Sequence, residues 1–198
     1  MLYWRLTSER FSQNAVTNIR EIATLGPTGT SSELAAASLA ERLRTVGVKT
    51  SLFDEYEAAA DHVLATTGAV LVVANAYHAI NNFYISRVLE PIAAFFCDTP
   101  AYVIATADEA RMSETIDELR IASHSAPSHL IGDVIPGRSI RLIEVSSTSA
   151  AAKLAASGTV DACLTTATAA KLNGLSVLST AFDSIPMLWS VFMRRGGQ

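Results

Sequence analysis

The sequence predicts an α/β fold, and three observations carry that prediction. Short apolar runs alternate with segments of helical spacing along most of the chain. Ala69–Ala74 is apolar at every position and rich in β-branched residues, as strands buried on both faces are. Two of the runs pass into hydroxyl-rich turns that read as helix starts. The sheet is expected to be largely parallel, since βαβ alternation favours it.

The elements follow in order. Residues 1–20 are mixed and polar and read as a leading arm. Ile22–Leu25 is a buried strand, and Ser31–Arg44 a helix whose Leu34, Ala37, Leu39 and Leu43 form an apolar stripe. Lys49–Phe53 is a strand, Glu55–Ala65 a helix and Ala69–Ala74 a strand; Tyr77–Arg87 combines loop and helix. Ile92–Phe96 and Ala101–Ala105 are strands around Asp98-Thr99-Pro100, a break that marks a crossover into a second lobe. Ser113–Leu119 is expected to be helical, Ile121–Ser123 a strand and Pro127–Ile131 a short helix. Arg141–Val145 is a strand, Ser149–Ala156 a helix ended by Gly158, and Val160–Leu164, Val177–Phe182 and Leu188–Met193 are strands.

The chain of 198 residues is long enough to bury a core without staples. It is 49% hydrophobic and 17% charged, which argues for order. A net charge of −4 gives no basic face for nucleic acid. No apolar stretch reaches the ~20 residues of a membrane span, and no signal peptide opens the chain, so a cytoplasmic protein without nucleic-acid or membrane partners is expected. Cys97 and Cys163 sit in apolar surroundings without a Cys-x-x-Cys pair, and His62, His78, His124 and His129 have no ligand spacing. No metal is expected.

Two segments have the composition of anion-binding helix ends. Gly26-Pro27-Thr28-Gly29-Thr30-Ser31-Ser32-Glu33 follows a strand and opens a helix with a capping box. Ser146-Ser147-Thr148-Ser149-Ala150 does the same before an Ala-rich helix. A helix N-terminus carries amides without intrahelical partners and positive partial charge, so either end is an ordinary cap or a carboxylate site. Asn75, Tyr77, His78 and Asn81 follow the end of the Ala69–Ala74 strand, where open α/β sheets place ligands; a polar turn is the alternative. His124, in Ser123-His124-Ser125, is either a proton donor or a capping histidine.

Gly26-Pro27-Thr28-Gly29-Thr30-Ser31-Ser32 resembles the opening motif of the prephenate dehydratase catalytic domain. Ser123-His124 and Ser147-Thr148-Ser149-Ala150-Ala151-Ala152 resemble its later Ser-His-Pro and Glu-Ser-Thr-x-Ala-Ala segments. The resemblance runs from about Ile22 to Met193. Two departures matter. Ser190-Val191-Phe192 stands where the dehydratases carry Thr-Arg-Phe, and Val73-Ala74-Asn75-Ala76-Tyr77-His78 stands where they carry Pro-Ile-Glu-Asn-Ser. With Ala76-Tyr77, Phe83-Tyr84, Cys97-Asp98-Thr99-Pro100 and the tail Ile185-Pro186-Met187-Leu188-Trp189-Ser190-Val191-Phe192, the chain is more similar to the non-aromatising prephenate decarboxylases of the bacilysin-pathway type.

That resemblance implies a two-lobed α/β fold like periplasmic binding proteins, with mostly parallel sheets and a cleft between lobes. Lobe one would hold about 21–98 and 178–198, lobe two about 99–177, without a regulatory domain. It implies a homodimer, no cofactor, prephenate as substrate and a role in antibiotic biosynthesis. Tyr77, His78 and Ser190 become catalytic candidates, to orient the ring hydroxyl or deliver a proton. Thr30, Ser31, Ser32, Asn75, Asn81, Ser147, Thr148, Ser149, Ala150 and Trp189 become substrate-binding candidates. A dehydratase giving phenylpyruvate, and a small-anion binding protein without chemistry, are the rival readings.

Overall fold

A computed structural model describes residues 18–43, 47–113 and 117–196. The leading arm lies mostly outside the described residues. The described chain holds ten strands and seven helices. In order they are β1 (Glu21–Leu25), α1 (Ser31–Leu43), β2 (Lys49–Phe53), α2 (Tyr56–Ala65), β3 (Ala69–Ala74), α3 (Asn81–Tyr84) and β4 (Leu89–Asp98). There follow β5 (Tyr102–Thr106), α4 (Glu109–Ser113), β6 (Leu119–Ser123), α5 (Leu130–Val134), β7 (Ile140–Glu144), α6 (Thr148–Ala156), β8 (Ala162–Thr166), α7 (Ala167–Leu172), β9 (Ser176–Phe182) and β10 (Pro186–Arg194).

The chain divides into two compact units. One takes the described residues up to Pro27, Ser32–Thr99 and the chain from Pro186 on; the other takes Thr28–Ser31 and Pro100–Ile185. Each unit is built on one five-stranded sheet, ordered β2-β1-β3-β10-β4 in the first and β7-β6-β8-β5-β9 in the second.

Both sheets are mixed, not mostly parallel. In the first, β10 runs antiparallel to both β3 and β4. In the second, β5 runs antiparallel to β8 and β9. A strand buried on both faces has the same apolar composition in either direction, so composition could not reveal this. Residues 178–182, expected with the first lobe, lie in β9 and pair with β5 in the second unit.

Helices cover both faces of each sheet. In the first unit α2 presents Tyr56, Ala59, Ala60 and Val63, a 3–4 spacing, to a core that includes Leu71, Val73, Phe83 and Phe192. On the opposite face α1 packs against Ile22, Val70, Val72, Trp189 and Val191. Its buried stripe is Ala35, Ala36 and Leu39; Leu34 and Ala37, expected inside, are exposed. Leu39 lies inside as expected, and the rest of the buried face falls on Ala35 and Ala36 instead of Leu34 and Ala37. In the second unit Ala151, Ala152, Ala155, Ala169 and Ala170 of α6 and α7 cover one face, and Leu130 and Ile131 of α5 the other.

Three expected elements are corrected. The helix placed at Ser113–Leu119 lies earlier, at Glu109–Ser113, and Leu119 opens β6; residues 114–116 are outside the described chain. The helix placed at Pro127–Ile131 begins at Leu130. Residues 162–166 form β8, two residues later than expected, and α7 follows at once. That short helix was hidden because it starts on the residue after the strand ends.

Candidate active site

Two groups of predicted residues are brought together, one in each unit. In the second unit, the loop before α1 meets the start of α6. Ser149 Oγ donates to the carbonyl of Thr28 at 3.2 Å. Thr166 Oγ1 donates to the carbonyl of Gly29 at 3.0 Å and accepts from the Ala169 amide at 3.0 Å, capping α7. Thr165 Oγ1 donates to the carbonyl of Thr148 at 2.7 Å. Gly29 has φ +90°, and a Cβ there would lie 3.0 Å from Leu172 Cδ1, so the loop requires glycine.

These bonds fix the loop and the two hydroxyl-rich segments as one corner. Ser149, Thr165 and Thr166 are buried and serve the corner itself. Ser147 caps α6, its side chain accepting from Ala150 N at 3.1 Å. The Ala150 amide, expected to hold substrate, is thereby engaged. Ser31 and Thr148 are half-buried beside the first turns of α1 and α6, where backbone amides lack intrahelical partners. Ser32, at the start of α1, shares a hydrogen bond of 3.0 Å with the hydroxyl of Tyr56, which also accepts from the Ala74 amide at 3.3 Å. The Ser32 hydroxyl therefore faces the first unit's interior.

In the first unit, Ser190 joins Asn75 and Tyr84. On β10, Trp189 and Val191 point to one face and Ser190 and Phe192 to the other, as strand alternation requires. Ser190 Oγ donates to Asn75 Oδ1 at 2.6 Å and lies 2.5 Å from Tyr84 Oη. A serine hydroxyl has one proton. Since Ser190 gives it to Asn75, Tyr84 is the donor to Ser190. The chain of bonds therefore runs Tyr84 to Ser190 to Asn75. Asn75 is held at the end of β3 by its amide, which donates to the Leu188 carbonyl at 2.9 Å. The Tyr84 ring stands edge-on to Phe192, centroids 5.0 Å apart.

The other candidates lie elsewhere. Tyr77 donates to Glu57 Oε1 at 2.8 Å and to Oε2 at 3.1 Å. Burial, and then the Glu57 carboxylate, push its phenol up to about 12. Its proton is thus held by a carboxylate and not joined to Ser190. His78 is exposed, its ring edge-on to Tyr77 at 4.7 Å, and Asn81 is exposed. Trp189 is a correction. It is buried in the core and its indole donates to the Cys97 carbonyl at 3.1 Å, so its large apolar ring packs instead of meeting a ligand. His124 Nδ1 accepts from the Ala126 amide at 3.2 Å, a turn-closing bond.

Sequence reasoning missed Tyr84 as a site residue, and Glu57. Tyr84 reaches a partner 106 positions away, which no local pattern reveals. It also missed Asp161, a buried carboxylate bound by Arg111 at 2.6 Å and Arg120 at 3.1 Å. Among the described residues no three His, Cys, Asp or Glu side chains converge in a way that could hold a metal ion, and no helix is long and apolar enough to cross a membrane.

The family model for prephenate dehydratase matches residues 22–186. The chain is 36% identical over 182 residues to the prephenate decarboxylase of Bacillus amyloliquefaciens, covering 90% of this chain and 88% of the other. The prephenate dehydratase of Arthrobacter aurescens superimposes with a TM-score of 0.67 at 18% identity, covering 89% of this chain and 61% of that one. The chain thus spans about three fifths of that structure's length. The periplasmic VFT2 domain of Bordetella pertussis BvgS superimposes with a TM-score of 0.52 at 16% identity, covering 98% and 88%. These two likenesses bear on the fold, α/β and akin to periplasmic binding domains.

Proposed function

The chain belongs to the prephenate dehydratase family, and on that premise we propose that it decarboxylates prephenate without making the ring aromatic. The observation that carries this reading is its likeness, over 90% of its length, to proteins named prephenate decarboxylase. The Ser190 cluster supports it, because its hydrogen-bonding groups are a phenol, an alcohol and an amide, with no carboxylate or imidazole.

Prephenate carries two carboxylates and a ring hydroxyl. Breaking the bond between the ring and its carboxylate releases carbon dioxide and leaves an electron pair in the ring diene. In the dehydratase reaction that pair displaces the hydroxyl, which takes up a proton and leaves as water. In the decarboxylase reaction the pair spreads through the diene and a ring carbon takes up the proton. Both routes consume one proton; they differ in where it goes. The substrate is its own electron sink, so the chain's work is binding, orientation and control of that proton.

In this reading the corner of Ser31 and Thr148 in the second unit suits a carboxylate, through hydroxyls and the first-turn amides of α6. Ser147 and Ser149 act on it indirectly, by fixing the corner. Asn75 and Ser190, in the first unit, suit a ring hydroxyl. His78 and Asn81 are candidates for contact, and Tyr77 is held back by Glu57. The same reading carries a cytoplasmic homodimer with a role in antibiotic biosynthesis.

The test is direct. The protein is incubated with prephenate at neutral pH, carbon dioxide is trapped, and the products are identified by proton NMR. Carbon dioxide release with ring olefinic signals retained supports the proposal. Phenylpyruvate as the main product would make this a dehydratase, and unreacted prephenate would favour a binding protein.

A further inference from the structure

We propose that the hydrogen-bond chain from Tyr84 through Ser190 to Asn75 fixes which product leaves this site, by keeping the Tyr84 phenol proton turned inward. This rests on the decarboxylase reading above.

The direction of the bonds carries the inference. Ser190 is buried, at 1% exposure, and its one proton is committed to Asn75 Oδ1 at 2.6 Å. It then has only lone pairs for Tyr84, whose oxygen is 2.5 Å away. The phenol proton therefore points into the protein although the tyrosine is 40% exposed. What the cluster offers outward is a phenolic lone pair at one end. At the other is the Asn75 amide NH2, whose hydrogens have no acceptor among the described residues. An amide is far too weak an acid to protonate an alcohol, and a lone pair cannot do so at all.

A ring hydroxyl beside this cluster can donate to the Tyr84 Oη lone pair or accept from the Asn75 amide. It is not given a proton, so the carbon–oxygen bond persists. The proton that the reaction consumes comes from solvent and goes to ring carbon. Ser190 and Asn75 are in this sense specificity residues, because they hold the Tyr84 phenol proton inward. The bond to Ser190 keeps the Tyr84 O–H directed into the cluster.

Cutting the chain at either link should release that phenol proton. In Asn75→Leu the Ser190 hydroxyl loses its acceptor and turns to Tyr84 Oη, reversing the chain and sending the phenol proton outward. In Ser190→Ala the phenol loses its acceptor. Each variant is expected to raise the ratio of phenylpyruvate to ring-hydroxylated product at least about tenfold over wild type, after subtraction of the spontaneous reaction. Adding Tyr84→Phe to either variant removes the released acid, and the ratio should return to the wild-type value.

A merely structural role would lower the rate without moving this ratio. The inference is overturned if both single variants keep the wild-type ratio, or if the double variants leak as much phenylpyruvate as the singles. The two single variants break the chain at different points, so misfolding of one leaves the other to decide. If the wild-type protein itself yields no ring-hydroxylated product, the decarboxylase reading fails instead, and that is seen before any variant is made.

Discussion

The Ser149 hydroxyl donates to the Thr28 carbonyl at 3.2 Å, joining residues 121 apart in sequence. Through that bond the two segments singled out as anion sites become one corner. Ser149→Ala should lower stability by about 1 kcal/mol, the usual worth of a single hydrogen bond. It should also raise KM for prephenate more than it lowers kcat, because the corner would bind the unreacting carboxylate. Urea unfolding and steady-state kinetics check both. An unchanged KM would remove the corner from substrate binding.

The second unit depends on Asp161. Burial raises the carboxyl's pKa, but hydrogen bonds from the Arg120 side chain and amide and from Arg111 outweigh that and hold it at about 2, against an ordinary 3.8. A depressed pKa means that the unfolded chain binds the proton more readily. The stabilisation is therefore complete above about pH 4 and lost as pH falls to about 2. Asp161→Asn should cost about 2 kcal/mol at neutral pH, and the gap to wild type should close over that acid window. A gap that stayed constant down to the lowest pH would contradict the assignment.

Thiol reactivity should separate the two cysteines. Cys163 is buried, and burial pushes its thiol up to about 12, so it is almost wholly protonated at neutral pH. Cys97 is half-buried. A chromogenic disulfide reagent should modify at most Cys97 in the native protein and both cysteines after denaturation. Rapid modification of Cys163 in the native state would contradict its burial.

Tyr77 titrates high because of burial first and Glu57 second. Glu57→Gln should lower its pKa from about 12 only part of the way to the ordinary 10, since burial remains. Ultraviolet difference titration, with Tyr77→Phe to identify the signal, measures this. No shift would mean that the Glu57 bond is not formed in solution.

Much of the fold was legible because its signals are local. The unbroken apolar run of β3 and the 3–4 spacing of Tyr56, Ala59, Ala60 and Val63 depend only on neighbouring residues. The direction of β10 did not, because it is set by the chain's return from the second unit. The site divides the same way. The helix start at Ser147 carried its own cap signature, whereas Tyr84 and Ser190 meet only through the fold. The misplacement of Trp189 had a local remedy. If Ser190 faces a polar cluster, strand alternation sends its neighbour to the opposite face and into the core.

Running the reaction in heavy water reads directly where the consumed proton goes. Proton and deuterium NMR of the product would locate the label. One solvent deuteron is expected on a new saturated ring carbon, with ring olefinic signals retained and the hydroxyl-bearing carbon intact. Phenylpyruvate with an aromatic ring free of deuterium would contradict it.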